Sequence, residues 1–449
     1  MSDIAAKYAR VAVPRYTSYP TAPHFHAGVG ESDYRHWLGE TDPAEPISLY
    51  LHVPFCKQMC WYCGCNMKLS ARYQPIADYT ALLCREIELL ADALPGRMTI
   101  VHLHWGGGTP TTLCPEDFQV VMDMVVRRFD IADQAELAVE CDPRSLDQPM
   151  IDALGAAGFT RGSFGVQEFD PTVQAAINRV QPPGMVRSAV EGLRAAGLSA
   201  INFDLIYGLP HQTTDTLLET IALCADMAPD RIALFGYAHV PWRAKQQRMI
   251  DEAALPGAQA RADQAAAAEA ALIAAGYVAI GLDHFARPED SLARAFRNGT
   301  LHRNFQGYTD DCAETLLSVG TTGIGRTARG YVQNESETRA WSRAVAAGRL
   351  PVVRGRALTA DDALRGHVIE RLMCDGAIDL ADAGARYGAP DSWWAAERAR
   401  LDAYAADGLL TRQGARITLT PAGNRLVRVV AAAFDAYLDH GQTQHSVAV

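Results

Sequence analysis

Nowhere in this 449-residue chain do apolar residues run on for the about 18 positions that a membrane-crossing helix needs. Its start, "MSDIAAKYARVAVPRYTSYP", lacks the continuous apolar core of a secretory signal. A cytoplasmic address is therefore expected, where thiols stay reduced. Basic charge is in deficit: 41 Lys and Arg face 52 Asp and Glu, for a net charge of −11. That excludes a nucleic-acid binder working through bulk attraction, though a local basic pocket remains compatible with an acidic body. There is no internal repeat and no low-complexity tract beyond mild alanine enrichment. Cysteine is sparse and scattered for most of the length; Cys84, Cys114, Cys141, Cys224, Cys312 and Cys374 stand singly and read as small buried residues.

What the chain does have is strand–helix alternation. At 49% hydrophobic and 21% charged residues it is an ordinary globular sequence, long enough for two domains or one large domain with an appendage. From about 47 to 285, runs such as "ISLYLHVPF", "TIVHLHW", "ELAVECD", "GSFGVQEF", "AINFDLIYGL", "RIALFGYAHV" and "YVAIGLDHF" read as strands. Between them "YTALLCREIELLADAL", "PEDFQVVMDMVVRRF", "PPGMVRSAVEGLRAAGL" and "TTDTLLETIALCADM" carry helical periodicity, as does "QARADQAAAAEAALIAAGY" toward the end. Such alternation predicts a parallel sheet with right-handed crossovers. Polar or glycine residues sit at the carboxyl ends of the strands, including Cys56, Gly106 to Gly108, Glu140, Gln167, Asp204 and His239. A β/α barrel gathers all of these at one mouth, whereas an open doubly wound sheet gathers ligands mainly at its switch point, so a full or partial barrel is favoured. After 290 the glycine-rich stretch "NGTLHRNFQGYTDDCAETLLSVGTTGIGRTARG" reads as irregular chain over an active site. From about 355 helices, a short strand and a turn suggest a small, mainly helical, winged-helix-like C-terminal domain for packing rather than nucleic-acid binding. The expected divisions are an N-terminal arm over 1–44, a barrel over 45–290, a covering segment over 291–354 and the C-terminal domain over 355–449.

The exception to the scattered cysteines is "VPFCKQMCWYCGC", with Cys56, Cys60, Cys63 and Cys65 spaced C-x3-C-x2-C-x-C. Disulfides suit neither the expected compartment nor the other cysteines. Structural zinc usually takes two short pairs divided by a longer loop. Three thiolates at x3 and x2 spacing can instead wrap one face of a cubic iron–sulfur cluster, each reaching a different iron and leaving the fourth iron open. Next, "HWGGGTPTTL" runs a strand into Gly106, Gly107 and Gly108, then Thr109; alone, a tight strand-to-helix turn explains it equally well. Glu140 and Asp204 offer carboxylates at strand ends, while Gln167 and Arg179 offer donors for carboxylate groups. The bland reading of each is a helix cap or a surface pair.

The C-x3-C-x2-C motif, with Tyr62 before its third cysteine, resembles the radical S-adenosylmethionine superfamily. The stretches "PRYTSYPTA", "LYLHVPFC", "CGC", "LHWGGGTPT", "FGVQEFD", "NFDLIYGLP", "YAHVP", "DHFARP" and "LHRNFQGYT" together resemble the oxygen-independent coproporphyrinogen III oxidases (dehydrogenases) of that superfamily, over residues 12 to about 435. The resemblance implies a partial (β/α)6-type barrel with extensions. It implies a [4Fe–4S] cluster on Cys56, Cys60 and Cys63, and two molecules of S-adenosylmethionine. Tyr50, Tyr62, Gly107, Glu140 and Ile324 would serve the cluster-bound molecule; Gly108, Thr109, Gln167, Arg179, Asp204 and Ala238 would serve the second. The motif around Gly106–Thr109 is similar to the GGE-type element of the superfamily, with Thr109 where many members carry glutamate. The implied reaction converts two propionates of coproporphyrinogen III to vinyl groups, giving protoporphyrinogen IX in anaerobic haem biosynthesis. A 5′-deoxyadenosyl radical removes hydrogen from the propionate β-carbon, and CO2 and an electron then leave. Cys65 is the extra thiol and, with Arg15, Tyr16 and Arg303, a candidate catalytic residue; Arg287 is a further candidate for a substrate carboxylate. The segment "WRAKQQRM", Trp242 to Met249, carries no assigned role. The implied partners are coproporphyrinogen III and a flavodoxin- or ferredoxin-like electron donor, with no nucleic acid, no membrane span and a monomeric state.

Three competing readings remain: a haem-binding or haem-handling relative without decarboxylase activity, a radical methyltransferase or haem-degrading relative, and a zinc protein using Cys56 to Cys65 structurally. Cys65 and Arg15 argue against the first, whose members typically lack the fourth cysteine and the N-terminal segment.

Overall fold

The computed structural model describes residues 7–8 and 11–438; the tail in which the family resemblance fades lies beyond them. The chain divides into two compact units, Met1–Phe25 with Ala258–Cys312 and Leu358–Val449, and His26–Gly257 with Ala313–Ala357.

The larger unit is built on six parallel strands: β1 (Ile47–Val53), β2 (Thr99–Gly107), β3 (Asp130–Cys141), β4 (Arg161–Gln167), β5 (Ala200–Tyr207) and β6 (Arg231–Gly236). They are neighbours in sequence order, each parallel to the next. Among these six the order never reverses, which is the winding of a partial (β/α)6 barrel rather than of a doubly wound sheet. Helices α1 (Gln74–Asp92), α2 (Pro115–Arg128), α3 (Gln148–Ala156), α4 (Pro183–Ala195) and α5 (Thr214–Asp226) make the crossovers. Each buries a stripe at helical spacing, as Ile76, Tyr79, Leu83, Ile87 and Leu90 do in α1. With helices on the outside and the sheet inside, the strands are near-continuous apolar runs; Leu49, Leu51, Leu103, Trp105, Phe164 and Phe203 are almost wholly buried.

The polar interruptions lie on one face. The register pairs Tyr50 with His104, Glu140 with Ser163, and Ser163 with Asn202. Parallel partners point the same way and side chains repeat every second residue. His104 pairs with Ala138 and Asp204 follows Asn202 by two, so Tyr50, His104, Glu140, Ser163, Asn202 and Asp204 share that face.

The stretch after 313 departs from the irregular chain expected of it. Beyond β1 lie β7 (Thr315–Val319), parallel to β1, then β8 (Ile324–Thr327), β9 (Gly330–Asn334) and β10 (Val352–Ala357), mutually antiparallel. Glycines obscured these strands: Gly320 has φ +94°, and a Cβ there would lie 2.4 Å from the His52 carbonyl oxygen.

In the smaller unit "YVAIGLDHF" is not one strand but two, Val278–Ile280 and His284–Ala286, paired antiparallel. A second hairpin joins His302–Asn304 to Gly307–Thr309. The C-terminal part has helices Ala360–Asp375, Leu380–Arg386 and Arg398–Ala406 with a three-stranded antiparallel sheet, the winged-helix-like pattern. Its core joins Leu372, Leu401, Ile417 and Phe434 to Val13, Tyr16 and Tyr19 of the N-terminal arm.

Candidate functional site

The four clustered thiols lie on the loop that leaves β1. Side chains distant in sequence tie the loop down through its carbonyls. Asn178 Nδ2 donates to the Met59 oxygen at 2.8 Å, Gln247 Nε2 to the Tyr62 oxygen at 2.8 Å, and Gln246 Nε2 to the Cys63 oxygen. At its base Gly108 N–H donates to the Val53 oxygen at 2.8 Å. A Cβ on Gly107, where φ is +122°, would fall 2.8 Å from the same oxygen and from the His52 ring. The glycine run is thus what lets the end of β2 close onto the chain just before Cys56.

Each predicted metal ligand has its own donor. Cys56 Sγ stands 3.5 Å from Thr109 Oγ1; burial pushes its thiol up to about 11. Cys60 Sγ accepts from two guanidinium groups, Arg144 Nη2 at 3.3 Å and Arg179 Nη1 at 3.4 Å. Cys63 Sγ accepts from the Cys65 backbone N–H at 3.4 Å, and a hydrogen bond from the Cys65 thiol helps lower it to about 7. Cys65 itself, on the exposed side of the loop, is driven well up because it holds the proton of that pair. Among the described residues no three His, Cys, Asp or Glu side chains converge on one metal ion. Three thiols supplied with N–H and O–H donors, two of them cationic, fit an anionic iron–sulfur cluster.

Asp142 organises the cations. It takes Arg144 in a fork, with Nε to Oδ1 at 2.9 Å and Nη2 to Oδ2 at 2.6 Å, and lies 3.6 Å from Arg179 Nη1. Arg179 is buried and also donates to the Gly165 oxygen from Nε at 3.0 Å. Gln167, at the end of β4, holds φ +66°, a left-handed conformation costly for a residue with a Cβ.

On the polar face, Glu140 Oε2 accepts from Gly107 N–H at 3.1 Å and Oε1 faces His104 Nε2 at 3.2 Å. Tyr50 stacks on His104 at 5.8 Å between ring centroids and meets His52 Nδ1 through its hydroxyl at 3.0 Å. Burial, reinforced by the charge of Glu140, lifts Asp204 to about 7, and Asn202 Nδ2 donates to it at 3.1 Å. The Ala238 oxygen accepts from Gln247 Nε2 at 3.2 Å. Tyr62 joins a small apolar cluster with Ile177 and Tyr237, and Ile324 opens β8 opposite Gln333.

The remaining predicted residues belong to the smaller unit. Arg15 is exposed; its carbonyl accepts from Arg303 Nε at 3.3 Å. Arg303 is buried, stacked 4.4 Å over the Tyr308 ring, and its Nη1 has no hydrogen-bond partner. Burial pushes Asp283 up, but the His284 hydrogen bond at 2.7 Å and the charges of His284, Arg303 and Arg15 outweigh it and hold it at about 2. Tyr16 is a core residue whose hydroxyl donates to Asp435 at 3.0 Å. Arg287 lies over Tyr277 at 4.4 Å.

Arg144 and Asp142 escaped the sequence reading, as did His104 and the pair Gln246–Gln247. Their only sequence signal is position: Asp142 and Arg144 directly follow the end of β3, the kind of place where barrels keep their working residues.

Comparison with known proteins gives concordant matches. The Radical SAM superfamily model matches residues 50–224 and the HemN C-terminal domain model residues 358–426. A protein named oxygen-independent coproporphyrinogen III oxidase from Bradyrhizobium diazoefficiens is 49% identical over 448 residues, covering 100% of both chains. One of the same name from Escherichia coli is 40% identical over 427 residues, covering 95% of this chain and 93% of its own. The solved structure described as coproporphyrinogen III oxidase (HemN) from Escherichia coli, a radical SAM enzyme, superposes with a TM-score of 0.91 at 37% identity, covering 94% of this chain and 98% of its own.

Proposed function

Because this chain belongs to the oxygen-independent coproporphyrinogen III oxidase family of the radical SAM superfamily, we propose that it decarboxylates two propionate side chains of coproporphyrinogen III to vinyl groups, yielding protoporphyrinogen IX. The observation that carries this reading is the bonding of the three-thiol loop to the polar, carboxyl end of the barrel through Thr109, Arg144 and Arg179.

Cys56, Cys60 and Cys63 would hold the [4Fe–4S] cluster. Once bound, the cluster and S-adenosylmethionine supply a carbon radical able to take hydrogen from an unactivated C–H bond. The protein's share is binding, orientation and exclusion of water. Glu140 keeps lone pairs beyond those used by Gly107 and His104, and these suit ribose hydroxyls or an ammonium group. With Tyr50, Tyr62, Gly107 and Ile324 it would serve one S-adenosylmethionine. A second molecule would use Gly108, Thr109, Gln167, Arg179, Asp204 and Ala238. Arg303, with a buried and unsatisfied Nη1, is suited to a substrate carboxylate, with Arg15 beside it. Cys65, exposed and bonded to Cys63 through its backbone N–H, would be a further catalytic thiol. A cytoplasmic monomer that draws electrons from a small carrier completes the proposal; no helix among the described residues is long and apolar enough to cross a membrane.

Anaerobic incubation with coproporphyrinogen III, S-adenosylmethionine and a reductant tests it. The expected product is lighter by the mass of two CO2 and four hydrogens. Unchanged substrate, or a product heavier by methyl groups, refutes it.

A further inference from the structure

The segment Trp242 to Met249, which the sequence left without a role, is bonded to the cysteine loop and faces outward. Gln246 and Gln247 reach the carbonyls of Cys63 and Tyr62. Around these two anchors Trp242, Arg243, Lys245, Arg248 and Met249 are all exposed. Trp242 at 63%, Val180 at 62% and Met249 at 60% are the most exposed large hydrophobic residues described. All three lie on segments hydrogen-bonded to residues 59–63, Val180 following the Asn178 that holds Met59. Apolar side chains this exposed, on segments anchored to the same loop and flanked by charged residues, mark an interaction surface.

Charge identifies the occupant. Arg243, Lys245, Arg248 and Lys57 of the loop itself are exposed and make no ion pair among the described residues. The acids next to the segment, Glu252, hydrogen-bonded to His239 at 3.1 Å, and Asp251, which caps the Ala253 N–H at 3.0 Å, leave the four cations in excess. On a body of net charge −11 a local basic patch attracts an acidic partner and orients it. Electron transfer falls steeply with distance, so a carrier must come close to the thiols. From this face a bonded route inward runs from the Gln246 side chain to the Cys63 carbonyl.

We propose that Trp242–Met249, with Lys57 and Val180, is the docking surface for a small acidic electron-carrier protein that delivers one electron through Cys63. This rests on the cluster reading above. In the transfer the carrier is oxidised by one electron and the cluster reduced by one, with no bond to this chain made or broken.

The test is stopped-flow bleaching of the cluster-loaded protein under anaerobic conditions. One reductant is acidic flavodoxin hydroquinone and the other is photoreduced 5-deazariboflavin, small and uncharged. In the triple variant Arg243→Glu, Lys245→Glu, Arg248→Glu the flavodoxin rate constant should fall by roughly tenfold or more while the deazaflavin rate stays unchanged. The wild-type flavodoxin rate should drop with added salt and the variant's should not. Trp242→Ala, which leaves the charge intact, should lower the flavodoxin rate at high salt as well. An unaltered flavodoxin rate in both variants, or a wild-type rate that rises with salt, overturns the docking surface. Failure of the wild type to bleach with either reductant would instead overturn the cluster reading beneath it.

Discussion

Replacing Arg144 by glutamine should make the iron–sulfur centre harder to reduce. Arg144 places Nη2 3.3 Å from Cys60 Sγ, and its side chain is only 10% exposed, so solvent screens little of its charge. Reduction adds one negative charge spread over the cluster. At roughly 7 Å and an effective dielectric of about 20, that charge and the guanidinium attract by about 2 kcal/mol. Asp142 stays in place in the variant, so its own repulsion cancels from the comparison and the full attraction, about 2 kcal/mol, is lost, equivalent to ~90 mV for a one-electron couple. The midpoint potential of Arg144→Gln should fall by that amount, read by an anaerobic redox titration followed by the reduced-state EPR signal, with iron and sulfide content unchanged. Arg144→Lys keeps the charge but loses the fork to Asp142, so its shift should be smaller. A fully loaded Arg144→Gln protein with the wild-type potential, or a higher one, would show that this guanidinium does not act on Cys60.

Other substitutions probe the remaining claims. Cys60→Ser should abolish the brown chromophore and turnover together, and a variant retaining both removes Cys60 from the ligand set. Arg303→Ala should raise KM for coproporphyrinogen III by roughly tenfold, the weight of one lost charge-assisted bond, with little change in cluster absorbance; unchanged kinetics would place Arg303 outside the substrate pocket. Asp283 has its folded pKa depressed from 3.8 to about 2, so its stabilisation is present above the unfolded value and lost as pH falls through about 2. Asp283→Asn should therefore be less stable than wild type by about 2 kcal/mol near pH 7, and the gap should close between about pH 4 and 2 in urea titrations of the apoprotein. A gap independent of pH would refute the assignment.

The sequence was most legible where one physical rule dominated. Alternating apolar strands and 3.6-residue stripes disclosed the parallel strands β1 to β6, with a seventh run read alongside them, because parallel strands covered by helices are apolar throughout. The interruptions at Glu140 and Asp204 then showed the polar face. Where two demands met at one residue, legibility failed. β7 to β10 were hidden because Gly320, Gly325 and Gly330 serve close backbone approach, at the expense of strand patterning. "YVAIGLDHF" looked continuous because the turn at Gly281, with φ +59°, is set by the Tyr308 ring, which would lie 2.0 Å from a Cβ there. Arg144 was invisible for another reason: its role depends on Cys60, 84 positions earlier, and no local pattern links them.

The discontinuity of both units bears on how the protein is made. The cysteine loop emerges from the ribosome early, but β7, which pairs with the strand leading into it, is encoded more than 250 residues later. At ~5–20 residues per second the thiols would wait roughly 13–50 s before their supporting sheet is complete. Val13, Tyr16 and Tyr19 wait longer still, since their core partners Leu401 and Phe434 are encoded after β7. Metal delivery before β7 has paired with β1 would therefore meet an unfinished scaffold, so assembly of the inorganic centre belongs after that pairing.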